Sequence, residues 1–324
     1  MISVLVCTYN RAELLRELLQ TLCEQTVAST QYEVVVIDNG STDHTQTVAA
    51  VFAARYPQVH YCYEPRQGLS HARNLGWQTA KGDYVAYIDD DCKAPPQWLA
   101  VAQAIIATVA PVEFGGPHYP FYTVAKPHWW RDAYDSQHTG GYERTAGYLE
   151  PNMDLIGNNL FFQRAIFAHI GGFDPTLGVI GNTLRYGEET EIHMRLCRHD
   201  PSHRAYYDPR LFVYHLVRPE KLSLWWQLRS TFMHGRADYP IYYGGQHPFR
   251  WWVCLLLLPY TLLLALRLLV QSWLWRDRKR HPYWQNYLYE SKALAYYLRR
   301  LGIWSAYIQT RWPLRLLRRN ANGS

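Results

Sequence analysis

Three consecutive aspartates at positions 89–91 directly follow the apolar run 84–88, which is predicted to be a buried strand. Adjacent carboxylates repel one another, so the group requires a cation or a cationic partner, and Mg²⁺ or Mn²⁺ carrying substrate phosphates meets that requirement. The triplet therefore indicates a metal and nucleotide site. A solvated acidic turn is the alternative, because Asp often precedes a helix and Pro95 and Pro96 are expected to open one here.

The first hundred residues alternate short β-branched runs with amphipathic stretches, which is typical of an α/β fold with a mostly parallel sheet flanked by helices. Ser41 or Thr42 is expected to cap the second helix. Polar residues follow the strands at 8–11, at 38–41 and at the triplet, so they are expected to meet at one edge of the sheet. The predicted strands are 2–7, 32–37, 59–63 and 84–88, and the predicted helices are 12–23, 43–54 and 69–79.

Seven segments along the chain form an ordered set of motifs: 4–11 (VLVCTYNR), 36–43 (VIDNGSTD), 68–74 (GLSHARN), 82–91 (GDYVAYIDDD), 157–159 (GNN), 171–174 (GGFD) and 187–191 (GEETE). In this order they resemble the motifs of glycosyltransferase family 2. The resemblance covers roughly residues 1–220 and fades afterwards, which predicts a catalytic domain over 1–220 and a separate region over 221–324. It implies a GT-A fold and inverting transfer of a sugar from a nucleotide-diphosphate sugar, expected to be a UDP-sugar, with Mn²⁺ or Mg²⁺.

The resemblance also implies roles for individual residues. Asp89 and Asp91 form an Asp-x-Asp pair, with Asp91 most directly on the metal and Asp89 nearer the ribose, and His215 is a candidate third metal ligand. The expected nucleotide contacts are Thr8, Tyr9, Asn10, Asp38, Arg73, Asp89 and Asp90.

Each of these positions has an ordinary structural alternative. Tyr9 could be strand-end packing, Arg73 could pair with a surface carboxylate, and Asp38 followed by Asn-Gly could be only a turn. His215 could be a structural hydrogen-bonding residue at a strand end. Asn158 and Asn159 are expected to contact acceptor or donor sugar, but Asn is also a good N-cap for the apolar helix predicted to follow.

Inverting transfer requires a base for the acceptor hydroxyl. The family usually places Glu-Asp here and uses the second acid, which corresponds to Glu189, although Glu188 is the neighbouring candidate. Both carboxylates also suit the positive end of the helix predicted to run to Cys197.

Positive charge is concentrated at the end of the chain. Residues 250–324 contain 13 of the 33 Lys and Arg residues and two acids, for a net charge of +11, whereas residues 1–249 carry −5. Because these basic residues flank apolar and aromatic stretches, anionic lipid along 250–319 is the expected partner, and nucleic acid is not.

The apolar stretch 251–275 favours membrane association. A single span is possible, but it would export the basic clusters that follow, so a monotopic helix on the cytoplasmic face, bent at Pro259, is preferred. An apolar stripe on one helical face is predicted to lie at the membrane surface, with core packing or contact with a partner subunit as the alternatives. The oligomeric state is left open. The stripe comprises Trp284, Leu288, Leu294, Leu298 and Leu301.

The remaining features limit the class of protein. The six cysteines have no metal-binding spacing and are expected to be buried reduced thiols, and no secretory signal is expected at the start. The predicted function is transfer of sugar to a glycan or lipid-linked acceptor in surface or exopolysaccharide synthesis. A silent nucleotide-sugar-binding scaffold and a nucleotidyltransferase are the alternatives. Donor, acceptor and linkage are expected to depend on the loop 117–148, whose Trp129 and Trp130 could either stack on sugar or be packing. The sequence leaves open whether Asp135 or Glu143 takes part.

Overall fold

The computed structural model describes residues 1–135, 144–151, 153–181, 183, 185–244, 246 and 251–311. The chain forms two compact units, which we call the sheet unit and the helical unit. The sheet unit comprises Met1–Thr123, Arg131–Thr183 and Glu188–Val217, and the helical unit comprises Val124–Trp130, Leu184–Gly187 and Arg218–Ser324. The domain boundary drawn from the sequence, at residue 220, stays a prediction.

The sheet unit contains all of the described strands and the first six helices. In chain order these are β1 (Ile2–Thr8), α1 (Ala12–Cys23), β2 (Tyr32–Asp38), α2 (Thr45–Arg55), β3 (Val59–Tyr63), α3 (Leu69–Thr79), β4 (Tyr84–Tyr87), β5 (Cys92–Lys93), α4 (Trp98–Thr108), β6 (Glu113–Gly115), β7 (His118–Phe121), β8 (Gly147–Tyr148), β9 (Leu160–Gln163), α5 (Phe167–Ile170), α6 (Glu188–His199), β10 (Tyr206–Tyr207) and β11 (Val213–Leu216).

The large sheet has eight strands in the order β3-β2-β1-β4-β9-β6-β10-β8. Strands β1 to β4 are mutually parallel, as the alternating pattern predicts, and Thr8 pairs with Asp38 in register. Alternate residues of β1 enter different cores: Val4 and Val6 pack with α1, α2 and α4, whereas Leu5 packs with α3, α5 and α6. The helices thus cover both faces, and the carboxyl ends of β1, β2 and β4 lie at one edge.

One predicted element has the wrong type. The apolar stretch after Asn158 and Asn159 is the strand β9, not a helix, and it pairs antiparallel with β4 and β6. All three apolar residues from Leu160 onwards are buried, because β9 lies in the middle of the sheet with both faces covered. A short apolar run of this kind cannot be assigned to helix or strand from its periodicity.

The predicted cap of α2 is also wrong. The Asp43 carboxylate accepts from the backbone N–H and the hydroxyl of Thr45, at 3.0 and 2.5 Å. Ser41 and Thr42 instead hold the loop after β1: the Ser41 hydroxyl accepts from the Asn10 N–H, and the side-chain Oδ1 of Asn10 accepts from the Thr42 N–H. These bonds fix Asn10 in a left-handed conformation, with φ of 53°.

A second sheet of three strands, in the order β5-β11-β7, lies beside the triplet. Strand β5 begins immediately after Asp91, and its Cys92 pairs with His215 of β11. The Leu216 N–H also donates to the Asp91 carbonyl oxygen at 2.9 Å. This pairing brings His215 next to the triplet despite the 123 residues that separate it from Asp91 in the sequence.

The helical unit contains α7 (Leu224–Asp238), α8 (Trp251–Leu274), α9 (Trp284–Tyr289) and α10 (Lys292–Arg311). Helices α7 and α10 approach closely at two glycines: a Cβ on Gly235 would lie 1.9 Å from the Arg299 carbonyl oxygen, and one on Gly302 would lie 2.0 Å from that of Phe232. The Arg299 guanidinium also donates to the Asp238 carboxylate.

The predicted interfacial stripe belongs to the core of this unit. It is divided between α9 and α10, and its Leu288 and Leu294 are buried against Leu268 of α8. The stripe is therefore packed against protein, and its assignment to the membrane surface was wrong. Periodicity identifies a buried face but cannot show what covers it.

Helix α8 is the described element with the apolar length to cross a membrane. Residues 256–274 have a mean hydropathy of 1.5 over their most apolar window, and 22 % of that window is buried. Pro259 lies inside the helix, and the exposed apolar residues include Leu258, Leu262, Leu266 and Trp273. Most of its apolar surface is thus open, unlike that of a soluble core helix.

Candidate active site at the carboxyl edge of the sheet

The three aspartates of the triplet have different surroundings. Asp90 is buried, and its two carboxylate oxygens accept from the Thr8 hydroxyl at 2.8 Å and the Arg11 guanidinium at 2.7 Å. Burial raises the pKa of Asp90 to about 6, although Arg11 lowers it. Asp90 and Thr8, both predicted to contact nucleotide, are thus bonded to each other, and they tie the end of β1 to the end of β4.

Asp89 and Asp91 face a histidine. One carboxylate oxygen of each and a ring nitrogen of His215 lie within 4.8 Å of one another, and the His215 Nε2 is 3.5 Å from Asp91 Oδ1. Arg11 reaches the other Asp91 oxygen at 3.5 Å. The edge of the sheet therefore presents two carboxylates and one imidazole to a common point, a donor set that suits Mn²⁺ or Mg²⁺.

Asp38 lies at the end of β2, beside Thr8. Its carboxylate accepts from the Ser41 N–H at 2.8 Å and from the Tyr61 hydroxyl at 2.9 Å. Burial, followed by the hydrogen bond to Asp38, raises the pKa of Tyr61. The Tyr9 hydroxyl accepts from the Gln67 amide at 3.1 Å, above the same edge.

Arg73 connects the strand edge to the start of α6. Its guanidinium donates to Glu189 Oε1 at 2.9 Å and to Glu188 Oε1 at 3.3 Å, and it lies over the rings of Tyr87 and Phe173, with 5.7 and 5.2 Å from its central carbon to the ring centroids. Burial disfavours the charged form, but the two glutamates reverse this effect and raise the pKa of Arg73. The arginine is thus a fixed cation held by rings and carboxylates.

The two glutamates differ in their environment. Glu188 is buried, and burial followed by the charge of Glu189 raises its pKa to about 8. Glu189 is more exposed, with 22 % of its side chain accessible against 5 % for Glu188. At neutral pH Glu188 is therefore mostly protonated, and Glu189 is the more accessible carboxyl group.

The carboxylates of the triplet and the glutamates of α6 are close enough to interact. Burial and the Asp91 charge raise the pKa of Asp89, Arg73 lowers it, and Glu189 raises it. A single site thus extends from His215 through Asp89 and Arg73 to the start of α6.

Gly157 makes this arrangement possible. A Cβ there would lie 2.1 Å from Glu189 Oε1 and 2.4 Å from Arg73 Nη2, so a larger residue would break the ion pair. Two asparagines follow Gly157. The Asn159 side chain has a structural role, because its amide accepts from the Trp98 indole at 2.9 Å and donates to the Leu211 carbonyl oxygen at 2.6 Å. Asn158 is buried, and within the described residues its side-chain oxygen has no hydrogen-bond partner.

A model of glycosyl transferase family 2 matches residues 3–171, which is more than half of the chain. The chain belongs to glycosyltransferase family 2. The matched residues contain the triplet, Asp38, Arg73 and Gly157, and the acids of α6 follow shortly after them.

The relatives that this glycosyltransferase resembles include other sugar transferases and a succinoglycan biosynthesis protein. It is 27 % identical over 241 residues to the glucosyl-dolichyl phosphate glucuronosyltransferase of Haloferax volcanii, covering 72 % of this chain and 75 % of the relative. It is 25 % identical to the succinoglycan biosynthesis protein ExoM of Rhizobium meliloti, covering 73 % of each. The chain also matches the glycosyltransferase AglE of Haloferax volcanii at 37 % identity. This match covers only 30 % of this chain and a third of that relative.

Solved structures establish the GT-A fold of the glycosyltransferase. A mannosyltransferase of Pyrobaculum calidifontis, solved with GDP-Man and Mn²⁺, has a TM-score of 0.54 and 23 % identity, covering 72 % of this chain and 61 % of that one. TarS 1–349 of S. aureus, solved with UDP-GlcNAc, has a TM-score of 0.55 and 18 % identity, covering 96 % and 91 %. The predicted fold class is confirmed.

Sequence reasoning missed some residues of the glycosyltransferase's site. Arg11, which holds two aspartates of the triplet, has a local signal because it directly follows β1. His118 and Asp135 contact each other and His215, and no motif marks them. Trp129 and Trp130 are buried and pack edge-on against each other, and Glu143 lies outside the described residues.

Proposed function

We propose that this protein is a metal-dependent, inverting glycosyltransferase that moves a sugar from a nucleotide-diphosphate sugar to a glycan or lipid-linked acceptor. The observation that carries the proposal is the convergence of Asp89, Asp91 and His215 beside the Arg73–Glu189 pair at one sheet edge. These two groups suit the two halves of the reaction, departure of the diphosphate and activation of the acceptor.

The donor would bind along the carboxyl edge of β1, β2 and β4. Thr8, Tyr9, Asn10 and Asp38 line the part of the edge proposed for the nucleotide, and Asp89 would lie nearer the ribose. The solved neighbours that contain GDP-Man, UDP and UDP-GlcNAc favour a donor of this class, and a UDP-sugar is the proposed one.

Asp89, Asp91 and His215 would hold a divalent cation. When bound there, Mn²⁺ or Mg²⁺ supplies positive charge that offsets the charge developing on the leaving diphosphate. Oxygen and imidazole donors suit both ions, and Asp91 and His215 are already buried and aligned by the pairing of β5 with β11. Arg73 adds a fixed positive charge on the side of the site nearer α6.

Glu189 is the proposed base. Its carboxylate takes the proton from the acceptor hydroxyl as the oxygen attacks the anomeric carbon on the face opposite the departing diphosphate, which inverts the configuration. Glu188, with its pKa near 8, holds its own proton at neutral pH and is a weaker candidate. The hydrogen bond from Arg73 fixes the direction of the Glu189 carboxylate.

Membrane association is proposed through α8, with the catalytic unit on the cytoplasmic face. Its exposed apolar residues support this location, and the name of the Haloferax relative, which specifies glucosyl-dolichyl phosphate, favours a lipid-linked acceptor. The basic segment from 312 to 319 lies outside the described residues.

The test is calorimetric binding of UDP, GDP and dTDP, each with and without Mn²⁺, to the wild type and to Asp91→Asn. One nucleotide is expected to bind tightly only with Mn²⁺, and Asp91→Asn should remove that dependence. Asp83→Asn is the control, because Asp83 is exposed at the opposite end of β4. Absence of nucleotide binding in every condition would overturn the proposal.

Glu189→Gln separates an enzyme from a silent scaffold. Loss of the base should lower turnover by roughly 10²–10⁴-fold while nucleotide binding survives. Glu13→Gln, on the exposed face of α1, is the matched control. A wild type that binds nucleotide but turns over no donor in a broad acceptor panel would favour the scaffold.

A further inference from the structure

His215 lies between two carboxylates. Its Nε2 is 3.5 Å from Asp91 Oδ1, and its Nδ1 is 3.4 Å from Asp135 Oδ2. Asp135 follows a short 3₁₀ turn, Asp132–Tyr134, and only 11 % of its side chain is accessible. The same imidazole therefore touches the proposed cation site with one nitrogen and a nearly buried carboxylate with the other.

His118 holds Asp135 in place. The His118 Nε2 lies 2.9 Å from the Asp135 carbonyl oxygen and 3.2 Å from its carboxylate oxygen. Both His118 and His215 are buried, and their rings meet edge-on with centroids 5.2 Å apart because β7 and β11 pair in parallel. Asp135 thus has its backbone and its side chain fixed by one histidine.

His118, Asp135 and His215 could in principle form a second metal site, since their donor atoms also lie within 4.8 Å of one another. The hydrogen bond to the Asp135 carbonyl argues against this. A carbonyl oxygen only accepts, so the His118 Nε2 must carry a proton, and a protonated nitrogen has no lone pair for a cation. These three residues form a hydrogen-bonded chain instead.

We propose that Asp135, itself held by His118, is a positioning residue that fixes the ring and tautomer of His215 for cation binding. With the proton on Nδ1 donated to Asp135, the Nε2 lone pair of His215 is directed at the point shared by Asp89 and Asp91. A carboxylate behind a metal-binding histidine raises its basicity and fixes its orientation. The inference rests on the proposed function, because it requires the cation site at Asp89, Asp91 and His215.

The experiment measures Mn²⁺ affinity, with and without UDP, from the electron paramagnetic resonance signal of free Mn²⁺. Asp135→Asn is expected to weaken Mn²⁺ binding by about 10–100-fold and to reduce the nitrogen modulation that a coordinated imidazole imposes on the bound ion. Asp132→Asn is the matched control, since Asp132 lies three residues earlier in the same turn, is exposed and accepts from Tyr122.

His118→Phe is a second variant for the case in which Asp135→Asn does not fold. It keeps a ring of similar size but removes the donor to Asp135, so it should weaken Mn²⁺ binding in the same direction by a smaller factor. If the variants that fold keep the Mn²⁺ affinity and the nitrogen modulation of the wild type, this inference is overturned and the proposed function stands. No Mn²⁺ binding by the wild type would overturn both.

Discussion

Glu188, the first residue of α6, is expected to make the stability of the fold depend on pH. Glu188 has a folded pKa of about 8, above its usual value of 4.5, because it is buried beside Glu189. Between these two values the folded chain holds a proton that the unfolded chain has released. The free energy of unfolding therefore falls as pH rises from about 5 to about 8.

Glu188→Gln should remove this penalty. We expect the variant to gain stability relative to the wild type as pH rises from 5 to 8, by an amount on the order of a few kcal/mol, because each pKa unit corresponds to about 1.4 kcal/mol. Urea denaturation at both pH values measures the gain, with Glu13→Gln as the exposed control. An equal difference at pH 5 and pH 8 would mean that Glu188 is ionised in the folded protein.

Helix α6 is held against the sheet by a buried cluster that the function does not use directly. Glu113 of β6 accepts from the His193 ring of α6 and from the His203 ring, both at 2.8 Å, and all three side chains are buried. Both rings lie within hydrogen-bond distance of the same carboxylate oxygen, Glu113 Oε2. The cluster joins α6, the helix that bears Glu188 and Glu189, to strand β6 of the sheet.

Glu113→Gln should loosen α6. The neutral amide leaves one imidazole N–H poorly paired, so we expect a loss of about 1–3 kcal/mol in the free energy of unfolding. Although burial opposes it, Glu113 raises the pKa of His193, so this stabilisation is present below the unfolded value of 6.5 and is lost as pH rises through the higher folded value. The variant should therefore lose more stability at pH 6 than at pH 9 by thermal or urea denaturation.

Glu33→Gln is the control for that comparison, because Glu33 is another buried carboxylate of the sheet, bonded to Ser3 and the Lys81 N–H at 2.6 Å. Its cost should not follow the titration of His193. A Glu113→Gln variant with the same loss at both pH values would show that His193 is neutral in the fold.

Among the described residues, exposed large apolar side chains are concentrated on α8. Leu262 and Leu266 are four residues apart on this helix and about 60 % exposed. Burying a leucine contributes about 1.5–3 kcal/mol, so replacing both with Gln should lower partitioning onto anionic vesicles by at least about tenfold. Vesicle sedimentation of the full chain measures this.

Val51→Gln is the control for vesicle binding, because Val51 is an exposed apolar residue on α2 of the sheet unit. It should partition like the wild type. Equal partitioning of the double Leu variant and the wild type would remove α8 as the membrane contact, and core packing of the helical unit would then be its only demonstrated role.

Local pattern determined the parts of this protein that depend on neighbours in the chain. Helices α1 and α3 have the predicted bounds, and the parallel strands β1 to β4 coincide with the β-branched runs. These elements could be predicted because periodicity and strand-end polarity are properties of short segments. The ordered motifs also determined the family, since four or more matches in sequence leave few alternatives. The triplet could be recognised because its three aspartates are consecutive in the chain.

Tertiary structure alone decided the rest. Asp90 turns inward to Thr8 and Arg11 while Asp89 and Asp91 face His215, because Cys92 of β5 pairs with His215 of β11, 123 positions later in the chain. The strand β9 and the buried leucine stripe were misassigned, since an apolar run does not specify its partner. His118 and Asp135 had no local signal at all, because contacts between distant residues arise only when the chain has folded.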